Sequence, residues 1–237
     1  MKAQLLEHSY RKNLSHIPSA LSMLDYVEVL FAKKFVVPHR DGIVIGKPFG
    51  SQAYYLTWQN LGYLDSIDNL SIGVKHEEIP FVDYGEETMG NALGVAAGIA
   101  IACPNKKVWV NITDASLQMG NVLEALQFIG HNKLKNVFVT VDYNNAQVTG
   151  DTNKILSVDP IIQLCKHYKW WVQEVDGHDK DKLETAFDNL TDTLPNIVFC
   201  KTVKGHGFEA MTSNIKLWHY KKIISEEELH KLMDEIK

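Results

Sequence analysis

Residues 108–143 constrain the architecture more tightly than any other stretch of the chain. Val108-Trp109-Val110-Asn111-Ile112 and Asn136-Val137-Phe138-Val139-Thr140-Val141 are strand-like apolar runs, and between them Leu117, Val122, Leu123, Leu126, Phe128 and Ile129 recur at helical spacing. Strand, helix and strand in that order require a crossover, which is right-handed and joins parallel strands. Asp114 and Asn144 then both fall just past the carboxyl ends of their strands, where open α/β sheets bind ligands. A carboxylate, a side-chain amide and a nearby backbone carbonyl are hard oxygen ligands, suited to Mg²⁺ or Ca²⁺ when phosphate oxygens complete the shell. A local reading of the same residues also stands: Asp114 caps the following helix, and Asn144-Asn145 form a turn.

The rest of the chain is compatible with the same architecture. Leu21 to Lys34 reads as a helix with Leu21, Leu24, Val27, Leu30 and Phe31 on one face, and His16 stands before it. Arg40 to Ile45 gives a short strand, followed by the turn Gly46-Lys47-Pro48-Phe49-Gly50-Ser51. Met89 to Ala102 reads as a helix of small residues that lets another helix approach closely. Downstream, Pro160–Lys169 suggests a helix, Trp170–Val175 a strand, Lys180 the start of a helix, Asn196–Thr202 a last strand and Glu226–Ile236 a terminal helix. A length of 237 residues suits one large domain. The net charge of −5 gives no reason to expect a nucleic-acid surface, and no run approaches the roughly 18 apolar residues of a membrane span. Without an apolar signal core, a cytoplasmic location is expected. Cys103, Cys165 and Cys200 lack metal-type spacing and read as reduced and mostly structural.

Asp114, Leu117-Gln118, Gly120, Glu124-Ala125 and Val141-Asp142-Tyr143-Asn144, in this order, resemble the thiamin diphosphate motif of transketolases, particularly the separate amino-terminal subunits of split transketolases. Asn13 to Phe31, Val175 to Asp179, Lys201 to Gly207 and Trp218-His219 are similar to further strings of that family, so the resemblance runs from about Asn13 to Ile236. It implies a doubly wound, mostly parallel α/β sheet with helices on both faces, residues 1–237 forming a single diphosphate-binding domain. It also implies Asp114, Asn144 and the Ala146 carbonyl as metal ligands, cofactor contacts from Asp114, Ala115, Glu124, Asn144, Lys47 and Met89, and substrate- or cofactor-facing His16, His76 and His219. The expected reaction is transfer of a two-carbon ketol unit from a ketose donor to an aldehyde acceptor, with thiamin diphosphate as electron sink. The family's pyrimidine-binding domain has no counterpart here, so a separate carboxyl-terminal subunit is expected as partner, with self-association through the small-residue helix.

The chain departs from the family pattern at identifiable places. Phe49 stands where a histidine usually reaches the diphosphate, and a phenyl ring cannot donate to an oxyanion, leaving Lys47 as the compensating cation. Glu86 and Glu87 stand in a loop that is otherwise glycine-rich. Thr113 and Ala115 replace the glycines flanking Asp114, and Met119 replaces a glutamate of an acid network between active sites. Other readings are therefore another thiamin-dependent carboligase with a different donor, or a noncatalytic subunit that kept the fold. For single residues, His76 is also read as part of a solvated loop, His178 as a turn residue, and Glu124 and Asp142 as core-flanking structural groups.

Overall fold

The computed structural model describes residues 1–236. Helices α1 (Lys2–Arg11) and α2 (Ile17–Ala32) lead into β1 (Gly42–Ile45), α3 (Gln52–Asn60), β2 (Tyr84–Gly85), α4 (Ala92–Ala102) and β3 (Val108–Thr113). A 3₁₀ turn, Asp114–Gln118, opens onto α5 (Gly120–His131) and β4 (Val137–Tyr143), followed by β5 (Ala146–Gln147), β6 (Gly150–Asp151) and α6 (Thr152–Ile155). Then come α7 (Asp159–His167), β7 (Trp171–Asp176), α8 (Lys180–Asp188), β8 (Asn196–Lys201), α9 (Glu209–Thr212), α10 (Ile215–Trp218) and α11 (Glu226–Met233).

Six strands form one parallel sheet in the order β2-β1-β3-β4-β8-β7, while β5 and β6 pair as a small antiparallel ribbon. Alternation along the strands divides the interior into two cores. Val108, Val110 and Ile112 of β3 and Val137, Val139 and Val141 of β4 face α4, α5 and α7, whereas Trp109 and Phe138 join α2, α3 and α8 on the other side. Helices thus cover both faces, as the doubly wound reading requires. Among the described residues, no helix is long and apolar enough to cross a membrane.

Two helix starts differ from the sequence expectation by three residues or more, each for a local reason. Helix α2 begins at Ile17, four residues before Leu21, because Pro18 in its first turn is pre-set for helical φ. It is also buried nearly all round, so Ser19 and Ser22 lie inside with Leu21 and Leu24 rather than on a wet face. Helix α4 begins at Ala92 rather than Met89, because the buried Glu86 carboxylate accepts the backbone N–H groups of Asn91 at 3.0 Å and Ala92 at 2.9 Å. Glu86 is therefore a structural cap, while Glu87 projects outward with a side chain 81% exposed. The exposed side of α4 carries Gly94, Gly98, Ile101 and Ala102, an unpartnered apolar stripe.

Candidate functional site

Strand β1 continues through α3 to β2, and its neighbour β3 continues through α5 to β4, so two adjacent strands send their connections to opposite faces of the sheet. Divergence of this kind opens a crevice beyond the carboxyl ends. Four of the segments that leave those ends meet there: Lys47 after β1, Thr113–Ala115 at the end of β3, Asn144–Ala146 after β4 and Thr202–Lys204 after β8. A cavity of about 470 Å³ fills the space, lined among others by His16, Ser19, Phe49, Met89, Met119 and Tyr220.

Asp142 is the knot that holds these segments in place. Its carboxylate is fully buried and accepts hydrogen bonds from Ser22 Oγ at 2.6 Å, Thr202 Oγ1 at 2.5 Å and Asn144 Nδ2 at 2.7 Å, and it pairs with the Lys47 ammonium. Burial alone would raise its pKa, but Lys47 and the hydroxyl donors outweigh burial and hold it below the usual carboxylate range. Of the two roles open to Asp142, the structure supports the structural one. Lys47 Nζ also donates to Ser19 O at 2.9 Å, so two of its three donors are committed to the protein. Gly50 completes the junction: at φ +99° its Cα lies so close to α2 that a Cβ would stand 2.8 Å from Ala20 N.

Asp114 is 1% exposed, accepting Ala115 N at 2.7 Å and Thr113 Oγ1 at 3.1 Å on Oδ1, and Asn145 N at 2.5 Å on Oδ2. No side-chain cation pairs with it among the described residues, and burial, with Asp142 nearby, raises its pKa. Asn144 Oδ1 accepts Ala146 N at 2.9 Å, and the Ala146 carbonyl accepts Lys204 Nζ at 3.3 Å. A buried, cation-poor carboxylate beside an amide oxygen and a carbonyl is the donor set of a hard divalent ion, and these residues fit such an ion. Asp114 is the first residue of its 3₁₀ turn, whose cap position is held by Thr113, and α5 begins only at Gly120, so the expected capping of the helix by Asp114 is not what the structure has.

Lys204 was not singled out from the sequence, although it lies in the Lys201–Gly207 string. Its ammonium is buried, donates to the Ala146 carbonyl and to His219 Nδ1 at 3.2 Å, and burial with the neighbouring Lys47 lowers its pKa to about 8. A lysine on Nδ1 puts the His219 proton on Nε2. His219 and His16 lie with ring centroids 4.9 Å apart, and Phe49 stacks on His16 at 4.7 Å. Burial, reinforced by His219 and the lysines for His16 and by Lys204 for His219, lowers both imidazoles to about 4. Both rings are therefore neutral at physiological pH.

His16, Lys47, Met89, Ala115, Asn144, Ala146 and His219 all line the cavity, with Asp114 directly beneath it. Two expected site residues do not. His76 is not part of the lining: its Nδ1 is held by the Val82 carbonyl at 2.6 Å in a loop beyond α3. Glu124 lies on the outer face of α5, exposed, and borders a separate surface cleft of about 440 Å³ with Phe128, His167 and Tyr168. Helical periodicity explains the second displacement, because Val122, Ala125, Leu126 and Ile129 claim the inward face.

Residues 95–230, more than half of the chain, match the family model for the transketolase thiamine diphosphate binding domain. A 6-deoxy-6-sulfo-D-fructose transketolase subunit, SqwG, of Clostridium sp. (strain MSTE9) is 25% identical over 94% of this chain and 88% of its own length. One of the subunits of an apulose-4-phosphate transketolase from Phocaeicola vulgatus is 24% identical over 92% of this chain and 85% of its own. The crystal structure of transketolase from Campylobacter jejuni superposes with a TM-score of 0.73 at 17% identity, covering 98% of this chain but 42% of that one. With the doubly wound sheet in place and the family model spanning both metal-type turns, the chain belongs to the transketolase family, of which it carries the thiamine diphosphate binding domain.

Proposed function

We propose that this chain is the amino-terminal subunit of a two-subunit transketolase-like enzyme, transferring a two-carbon ketol unit from a ketose donor to an aldehyde acceptor. The observation that carries the reading is the convergence of three hard oxygens, from Asp114, Asn144 and Ala146, with two ammonium groups, Lys47 and Lys204, at the carboxyl ends of parallel strands. In it the oxygens hold Mg²⁺ or Ca²⁺, and the ammonium groups face the diphosphate of the cofactor. Thiamin diphosphate, when bound, supplies the electron sink for carbon–carbon cleavage. The protein's own contribution is positional and protonic: His219 offers an Nε2–H donor, and neutral His16 beside it meets the sugar hydroxyls. The relatives named as subunits support a separate partner that brings the pyrimidine-binding domain. Self-association through the exposed stripe of α4 and a cytoplasmic location belong to the same reading.

Calorimetric titration of thiamin diphosphate with Mg²⁺, before and after Asp114→Ala, tests the site. Loss of metal-dependent binding in a folded variant is the expected result, and unchanged affinity refutes the metal assignment. One observation favours a second reading, a carboligase with a different donor: the Phe49 ring covers a face of His16 that would otherwise be open to a polar substrate group.

A further inference from the structure

Beside the cavity, on the far side of the β8 loop, Asp25 of α2, His178 of the turn after β7 and His206 of the β8 loop bring three ligand-type atoms within 4.8 Å of one another. The cluster resembles a metal site, but its hydrogen bonds exclude that use for His178. Val203 N–H donates to His178 Nε2 at 2.8 Å, which leaves the ring proton on Nδ1, and Nδ1 donates to Asp25 Oδ2 at 2.9 Å. Neither nitrogen keeps a lone pair for an ion. His206 adds no ligand geometry either, since its ring lies flat on that of His178, with centroids 3.6 Å apart and 12° between the planes.

What the cluster does is join elements. Helix α2 carries His16 at its amino end, offers the Ser19 carbonyl to Lys47 and sends Ser22 to Asp142. The β8 loop sends Thr202 to Asp142 and Lys204 to Ala146 and His219. Among the described residues, the shared carboxylate of Asp142, to which Ser22 and Thr202 both donate, bridges α2 to the Thr202–Gly205 segment, and three further links join them directly or through one side chain. Gly205 N–H donates to the Pro18 carbonyl at 3.0 Å, Ser22 Oγ contacts Thr202 Oγ1 at 3.2 Å, and His178 bridges Asp25 to Val203. Val203 immediately precedes Lys204 and is itself 48% exposed, so its own packing contributes little to holding the loop there.

We infer that His178 is a positioning residue, a two-ended imidazole brace that fixes the Val203 amide to helix α2 and thereby sets the Lys204 ammonium against Ala146 and His219. At the Asp25 end both side chains are largely buried, 10% exposed for His178 and 13% for Asp25, so water does not substitute freely for that bond, while the Val203 end lies nearer the surface. The stacked His206 ring covers one face of the brace.

The test uses the full chain with ¹⁵N-labelled histidine and requires neither cofactor nor partner. The His219 ring nitrogens report the Lys204 contact, and Lys204→Met defines their resonances once that contact is gone. His178→Phe keeps a ring to stack on His206 but removes both hydrogen bonds; the His219 resonances should then move more than half the way to the Lys204→Met positions. His178→Gln, which can donate to Asp25 and accept from Val203, should return them to the wild-type positions. If His178→Phe lowers the melting temperature while the His219 resonances stay at their wild-type positions, the brace is structural only and the inference fails. Should His178→Phe not fold, Asp25→Asn loosens the other end of the brace. The same direction of shift is expected there, and wild-type resonances would again overturn the inference.

Discussion

Lys47→Met should be among the most damaging single substitutions in this chain, through the charge it leaves behind rather than the one it removes. Methionine matches the aliphatic stem of Lys47, so the cavity wall stays filled, but Asp142 keeps a fully buried carboxylate with no cation beside it. Breaking one side of a buried ion pair typically costs about 3–5 kcal/mol. Here Ser22, Thr202 and Asn144 still donate to Asp142, which places the expectation near the lower end, at about 3 kcal/mol. At roughly 2–4 °C per kcal/mol for a chain of this size, the melting temperature should fall by about 6–12 °C.

The sign of the pH dependence separates this cause from ordinary packing loss. In the wild type the folded Asp142 pKa is depressed, so its stabilisation is present above the unfolded carboxylate value and is lost as pH falls through the folded value. In Lys47→Met only the remaining hydrogen-bond donors oppose burial, and the folded value should rise above the unfolded one. Folding of the variant therefore becomes less favourable as pH climbs through that window, and the gap between the two proteins widens with pH. Urea unfolding of both proteins at about pH 5 and about pH 8 measures the gap, and Lys47→Met with Asp142→Asn should recover most of the loss. A penalty below about 1 kcal/mol, or one that is the same at both pH values, would refute the argument.

Further substitutions probe other parts of the site. The unfolded imidazoles of His16 and His219 titrate near 6.5 and the folded ones near 4, so the unfolded chain binds more protons between these values. Stability should accordingly fall as pH is lowered from 6.5 to 4, and the double variant His16→Gln, His219→Gln should flatten that slope in thermal melts. Phe49→His removes an apolar ring from the cavity mouth and adds a donor; cofactor affinity in the assembled complex should rise by at most about 1.5–3 kcal/mol by calorimetry. Weaker binding would mean that the Phe49 ring packs against the ligand instead. Gly50→Ala combines a positive φ with a Cβ driven against the α2 backbone, and should destabilise the fold by more than about 1 kcal/mol in urea denaturation. Glu86→Ala should cost about 0.5–2 kcal/mol by removing the cap of α4, read from the same denaturation curve.

What the sequence determined by itself is what depends on local pattern. The strand–helix–strand period of residues 108–141 set the parallel crossover, and with it the placement of Asp114 and Asn144 at strand ends. The ordered motif around them was specific enough to imply the family. Those properties are legible because alternation and helical spacing are written along the chain within a few residues. Tertiary structure decided the questions that turn on which distant groups share one buried volume. It made Asp142 a structural knot, because Ser22, Lys47 and Thr202 come to it from three other segments. It brought Lys204 into the cavity and kept His76 out, although a lysine and a histidine in polar loops look alike in sequence. It turned Glu124 outward, because the apolar face of α5 had already claimed the interior. Burial, and the pKa shifts that follow from it, are properties of the assembled neighbourhood, and no single segment carries them.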